Sequence, residues 1–86
     1  MQIEYSKKAA KYVNALDKPT KQRIKMAIEG LTEMPPKGDI KMLQGYSDGR
    51  KRLRVGKYTI IYNYFPNGEI KILYIFNVDS RGDIYK

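Results

Sequence analysis

The spacing of apolar residues changes halfway along this chain, and that change constrains the fold more than any other feature. Before residue 35, apolar side chains recur every three or four positions, which is the period of a helix packed on a core. After residue 50, apolar and polar side chains alternate, which is the period of a strand. Helices first and strands last indicate an α+β domain, in which a helical hairpin covers one face of an antiparallel sheet.

The first half of the chain predicts a short strand at residues 2–5 followed by two helices. Ser6 is suited to cap a first helix over residues 7–16, and Pro19 suits the first turn of a second helix. A tight turn between the two helices makes an αα-hairpin. The apolar stripe of the second helix contains Ile24, Ile28, Leu31 and Met34, and the helix ends before Pro35-Pro36.

The second half predicts three strands after a loop at residues 35–49 that is rich in Pro and Gly. The strands cover residues 50–55, 58–65 and 69–78, and the dipeptides Gly56-Lys57 and Asn67-Gly68 between them favour hairpin turns. The expected order is β-α-α-β-β-β, with an optional short strand near residues 83–85. We expect a single domain over residues 1–86, because no linker or repeat interrupts the pattern.

The composition narrows the classes of partner. The 86-residue chain has a net charge of +8, which favours a polyanion because each neutralised phosphate releases counterions. It has no cysteine or histidine, so we expect no disulfide, no metal and no cofactor. No apolar run approaches the roughly 18 residues that cross a bilayer, and no signal-peptide core is present. We therefore expect a cytoplasmic protein without a membrane partner.

Arg50, Arg52 and Arg54, here named the arginine row, carry the strongest functional signal. Side chains two apart on a strand share a face, and a guanidinium offers a planar fork of donors that matches a phosphate. The alternative is an edge strand that charge protects against aggregation. Lysine would protect an edge equally well, so the choice of arginine favours phosphate binding.

Five further residues are candidates for the same site. Arg81 and Tyr85 follow the third strand, and in a three-strand meander that strand can end beside the first, near the arginine row. Lys51, between Arg50 and Arg52, and Lys57, in the turn that follows the strand, add positive charge for phosphate or RNA binding. Tyr46, in the preceding loop, is a candidate for stacking on an exposed base.

Three segments together resemble the RelE/ParE superfamily, the toxins of bacterial type II toxin–antitoxin modules. They are Leu43-Gln44-Gly45, the run RLRVGKYTIIY from Arg52 to Tyr62, and the ending DSRGDIY from Asp79 to Tyr85. The likeness spans nearly the whole chain. It implies a compact RelE-like fold, related to that of the microbial ribonucleases, and a cognate antitoxin protein that wraps the toxin and blocks its active surface.

The resemblance also implies roles for individual residues. Arg50 and Arg52 fall where RelE-type enzymes have basic catalytic residues, and Arg54 follows them on the same strand. Arg81 falls on the C-terminal arginine of the family and Tyr85 on its terminal tyrosine. Many RelE-type members have an arginine directly after the tyrosine of the second sheet hairpin, and Thr59 stands at that position here.

The resemblance leaves two toxic activities open, because the RelE branch cleaves mRNA in the ribosomal A site and the ParE branch poisons DNA gyrase. The leading hypothesis is a metal-independent endoribonuclease, an mRNA interferase that acts on the ribosome and arrests growth. Its catalytic residues would be Arg50, Arg52, Arg81 and Tyr85. The alternatives are a gyrase poison, and a non-catalytic RNA-binding module.

Overall fold

The computed structural model describes residues 1–80, and the predicted residues Arg81 and Tyr85 and the optional last strand lie outside that range. The described part contains two helices and five strands. In chain order they are β1 (Gln2–Tyr5), α1 (Lys7–Asn14), α2 (Lys18–Gly30), β2 (Asp39–Met42), β3 (Lys51–Val55), β4 (Tyr58–Asn67) and β5 (Ile70–Ser80).

Both helices begin at the residues that the sequence predicts. The Ser6 hydroxyl accepts a hydrogen bond from the backbone N–H of Ala9 at 3.0 Å, which satisfies one of the free donors of the first turn of α1. Asp17 caps α2 by accepting from the N–H of Thr20 at 3.3 Å, and Pro19 lies in the first turn. The predicted αα-hairpin is therefore present, with α1 two residues shorter than expected.

The five strands form one sheet in the order β1-β5-β4-β3-β2, and the helical hairpin packs on one face. This confirms the predicted α+β class and the hairpin-on-sheet arrangement. One edge departs from the antiparallel expectation, because β1 pairs with β5 in parallel and the sheet is mixed. Strand direction at that edge depends on the crossover through the helices, which local sequence period does not encode.

Two details of the prediction were wrong. The expected loop at residues 35–49 contains β2, which is the edge strand of the sheet. It pairs antiparallel with β3, and its backbone hydrogen bonds in the sheet go to that strand. Met34 was placed on the apolar stripe of α2, but its side chain is 89% exposed. The helix ends at Gly30, so the helical period no longer directs Met34 toward the core.

The core lies between the helical hairpin and the sheet. Alternate residues of β4 point into it, as the period predicted, and the Tyr64 hydroxyl donates to the backbone carbonyl of Leu31 at 2.7 Å. The fully buried members are Ala9, Val13, Ile24, Ile28, Leu31, Leu53, Ile60, Tyr62, Leu73, Ile75 and Val78.

A β-bulge interrupts the long pairing of β4 with β5. Ile61 pairs with Asn77, whereas the next residue, Tyr62, pairs with Ile75, so Phe76 is the extra residue. An extra residue reverses the alternation of the strand from that point onward. Ile75 and Val78 consequently both face the core, although they lie three positions apart.

Among residues 1–80, neither helix has the length and apolar composition required to cross a membrane.

Candidate nucleic-acid interface

The arginine row lies on the face of the sheet opposite the helices. Leu53 points into the core, so its neighbours Arg52 and Arg54 point to the other side. Arg54 is in register with Asp39 of β2 and Thr59 of β4. Arg50 lies one residue before β3, and its guanidinium carbon is 3.9 Å from the ring centroid of Phe76. The three side chains therefore share one face, as the two-residue period predicted.

The members of the row differ in how far solvent reaches them. Arg54 is exposed, and its guanidinium makes no ion pair within residues 1–80. Arg52 has only 9% of its surface exposed. Its Nη1 donates to the backbone carbonyl of Asp39 at 3.1 Å and lies 3.7 Å from the Asp39 carboxylate. Arg54 is therefore open to a ligand, whereas Arg52, two residues before it on the same strand, is held in place by Asp39.

Arg50 is fixed from three sides. Its Nε donates to the carboxylate of Asp48 at 2.9 Å. Its guanidinium lies between two aromatic rings, 3.9 Å from the centroid of Phe76 and 4.7 Å from that of Tyr46. The hydrogen bond from Arg50 lowers the pKa of the Asp48 carboxyl, because it favours the charged form. Among residues 1–80, this Nε contact leaves both terminal nitrogens of Arg50 available to an anion.

Asn63 holds the loop that supplies Asp48 and Tyr46. This buried side chain donates from its amide nitrogen to the backbone carbonyl of Asp48 at 2.6 Å. Its oxygen accepts from the Lys51 ammonium at 3.3 Å, and that ammonium also donates to the carbonyl of Gly49 at 3.1 Å. Lys51 is thus engaged in supporting the loop, and its predicted phosphate contact stays a prediction.

Lys57 lies at the far end of the sheet. It occupies the predicted two-residue turn after Gly56, whose φ is +58°, and its ammonium is 5.6 Å from the ring centroid of Tyr58. Tyr58 pairs with Val55 on one side and with Ser80, the last described residue, on the other. The described part of β5 thus ends two strands away from the end of β3. The predicted roles of Arg81 and Tyr85 remain predictions.

Thr59, which stands where many RelE-type sequences have arginine, is fully buried on the same face as the row. It pairs with Arg54 on β3 and with Asp79 on β5.

The structure adds an aromatic cluster that the sequence analysis did not single out. Phe65, Tyr74 and Phe76, here named the aromatic trio, meet edge to face on the side of the sheet that carries the arginine row. The sequence contained a signal for this cluster. Tyr74 stands between the apolar residues Leu73 and Ile75, so an aromatic ring is expected on the face of the strand opposite to theirs. Both faces of β5 are apolar there, and only one of them is needed for the core.

Comparison with known proteins places these features in a family. The family model described as the ParE toxin of the type II toxin–antitoxin system parDE matches residues 3–85. The comparison with curated proteins gave no match.

Three solved structures share the fold. A chain of the archaeal RelE–RelB complex from Pyrococcus horikoshii OT3 is 27% identical, with a TM-score of 0.72, over 95% of this chain and 96% of that one. The RelB–RelE antitoxin–toxin complex from Methanococcus jannaschii gives 31% identity and a TM-score of 0.64, over 94% and 93%. The YoeB/ParE toxin from Agrobacterium tumefaciens, at 15% identity, has a TM-score of 0.78 over 94% and 99%, and shows similarity of fold alone.

Proposed function

The chain belongs to the RelE/ParE superfamily of type II toxin–antitoxin toxins, and we propose that it is an endoribonuclease that cleaves mRNA on the ribosome. The observation that carries the proposal is the arginine row on one sheet face, with Arg54 exposed and Arg52 and Arg50 held in fixed positions. A fixed row of guanidiniums suits an extended chain of phosphates.

The proposed reaction needs no metal. The ribose 2′-oxygen attacks the adjacent phosphorus, the bond from phosphorus to the 5′-oxygen breaks, and the products are a 2′,3′-cyclic phosphate and a 5′-hydroxyl. The proton leaves the 2′-hydroxyl, and the 5′-oxygen gains one. Since the chain has no histidine, positioning and stabilisation of the charged phosphorane carry most of the rate enhancement.

The four predicted catalytic residues and Arg54 each have a part in this scheme. Arg52 and Arg81 hold the scissile phosphate, while Arg50 and Arg54 bind its neighbours. Tyr85 stacks on a base or orients the nucleophile. Removal of one such charge-stabilising donor costs about 10²- to 10³-fold in rate, or about 3–4 kcal/mol of barrier.

We further propose an antitoxin protein as the partner that silences the toxin. Two of the similar structures are complexes of a RelE chain with RelB, and this chain aligns with them over more than nine-tenths of its length. An antitoxin that covers the arginine row would block RNA by occupying the same face.

Gyrase poisoning is the second candidate, and the match to a ParE toxin model is the observation that favours it. In that case the basic face would bind a protein–DNA complex, and the chain would perform no chemistry of its own.

Induced expression in bacteria, with and without the neighbouring reading frame, tests the proposal. Mapping of RNA ends should give discrete cuts within coding sequences, near codon boundaries, when the toxin is expressed alone. Arg81→Ala and Arg54→Gln should reduce these cuts, whereas Lys8→Gln on α1 removes the same charge from the opposite side and should leave them unchanged. Double-strand DNA breaks without RNA cuts would establish the gyrase candidate instead.

A further inference from the structure

The aromatic trio lies outside the hydrophobic core. The core is on the helix side of the sheet, and the trio is on the other side. Ring centroids are 4.9 Å apart for Tyr74 and Phe76, 6.1 Å for Phe65 and Phe76, and 6.4 Å for Phe65 and Tyr74. Phe65 is 38% exposed, and the other two rings are half-buried. Exposed apolar surface that is rimmed by polar residues is a feature of binding sites.

Arg50 joins the trio to the arginine row. Its guanidinium covers the ring of Phe76 on one side and faces Tyr46, which is 48% exposed, on the other. Arg52 and Arg54 continue from Arg50 along β3. The face therefore changes along its length from rings that suit bases to guanidiniums that suit phosphates.

This combination favours single-stranded nucleic acid over other ligands. Bases of a single strand are free to stack on aromatic rings, while its backbone requires cations at one side. A duplex hides its base faces, and a hydrophobic peptide gains nothing from the adjacent guanidiniums. The net charge of +8 agrees with a polyanionic occupant.

We infer that the aromatic trio, with Tyr46, is a base-stacking platform for single-stranded RNA that adjoins the phosphate sites of the arginine row. The inference rests on the proposed function in that RNA is the ligand. It adds the location at which the bases flanking the bound phosphates are held, and it assigns Phe65 and Tyr74 as binding residues.

The test uses the full chain and a single-stranded 2′-O-methyl oligoribonucleotide that carries 2-aminopurine at successive positions. This probe lacks the attacking hydroxyl, so binding is measured without cleavage. Phe65→Leu and Tyr74→Leu keep apolar volume and remove the ring faces. We expect each to weaken binding about 5- to 150-fold, the range for one stacked base, and to abolish quenching of 2-aminopurine at one position.

Three controls separate the loss of stacking from a loss of charge and from a loss of folding. The slope of log affinity against log salt should stay at the wild-type value in both leucine variants, because no phosphate contact is lost. Tyr12→Leu, which alters a half-buried ring of α1, should bind as the wild type does. Thermal unfolding of every variant confirms that each one is folded at the assay temperature.

Wild-type affinity and quenching in both folded leucine variants would overturn the inference, as would a wild type that binds no single-stranded RNA. Loss of antitoxin binding with RNA binding intact would assign the platform to the antitoxin and also overturn it. Failure of the proposed function is distinguishable, since a protein that stacks bases on this platform but leaves cellular RNA uncut supports the inference alone.

Discussion

At the scale of single residues, the two-residue period located the arginine row, but it did not give the environment of each member. Arg50 contacts Phe76, which lies on another strand and twenty-six positions away, so no local pattern reports their proximity. Arg52 is likewise buried against Asp39, which lies on another strand and thirteen positions away, so its burial could not be predicted from local sequence either. Sequence therefore identified which guanidiniums share a face, whereas the pairing of distant strands decided which one is exposed.

The contact between Arg50 and Asp48 has a measurable pH signature. Because Arg50 lowers the pKa of Asp48, the pair persists as pH falls through about 4, the ordinary aspartate value, and is lost only below it. We expect Arg50→Gln to raise the Asp48 pKa toward that ordinary value. A pH titration of the carboxyl ¹³C shift by NMR measures the change. Arg54→Gln is the matched control, and an unaltered Asp48 pKa in Arg50→Gln would contradict the assignment.

At the scale of secondary structure, features that depend on neighbouring residues, such as helix starts, were predictable. Pairings between strands that are distant in sequence were not. Ser6 and Pro19 predicted the helix starts, because each acts on the first turn of its helix. The cap at Asp17 was not predicted. The strand β2 and the parallel pairing of β1 depend on partners elsewhere in the sheet. The bulge at Phe76 is likewise a property of two strands together.

Ser6 connects the start of α1 to the bulge. Its hydroxyl caps the helix and also donates to the backbone carbonyl of Phe76 at 2.7 Å, so one side chain serves both elements. We expect Ser6→Ala to lower the free energy of unfolding by about 2 kcal/mol, a cap plus one hydrogen bond. Asp17→Ala removes a cap alone and should cost about 1 kcal/mol. Urea unfolding measures both values, and equal losses would show that the bond to Phe76 contributes nothing.

At the scale of the whole molecule, basic residues lie on both sides of the sheet, although the proposed ligand meets only one. Lys7, Lys8 and Lys11 belong to α1, on the side opposite the arginine row. The total charge therefore overstates the charge that a strand of RNA neutralises. Composition predicted a polyanionic partner, but only the fold distributes the charge between two faces.

Salt dependence distinguishes the two faces. Arg54→Gln and Lys8→Gln each remove one charge, so they change the net charge equally. We expect Arg54→Gln to make the slope of log affinity against log salt shallower by about 0.7, the value for one phosphate of a single strand, and Lys8→Gln to leave it unaltered. Fluorescence anisotropy across a salt series measures both slopes. Equal changes would mean that RNA contacts the whole basic surface.

The parallel pairing of β1 with β5 has a consequence for biosynthesis. Ile3 pairs with Leu73, so β1 waits for a partner that is translated seventy codons later. Until β5 is made, β4 lacks one neighbour and Arg50 lacks the ring of Phe76. A polypeptide interrupted before β5 would have no partner for β1 and no ring of Phe76 against Arg50. The face that carries the arginine row is thus completed only after β5 has been synthesised.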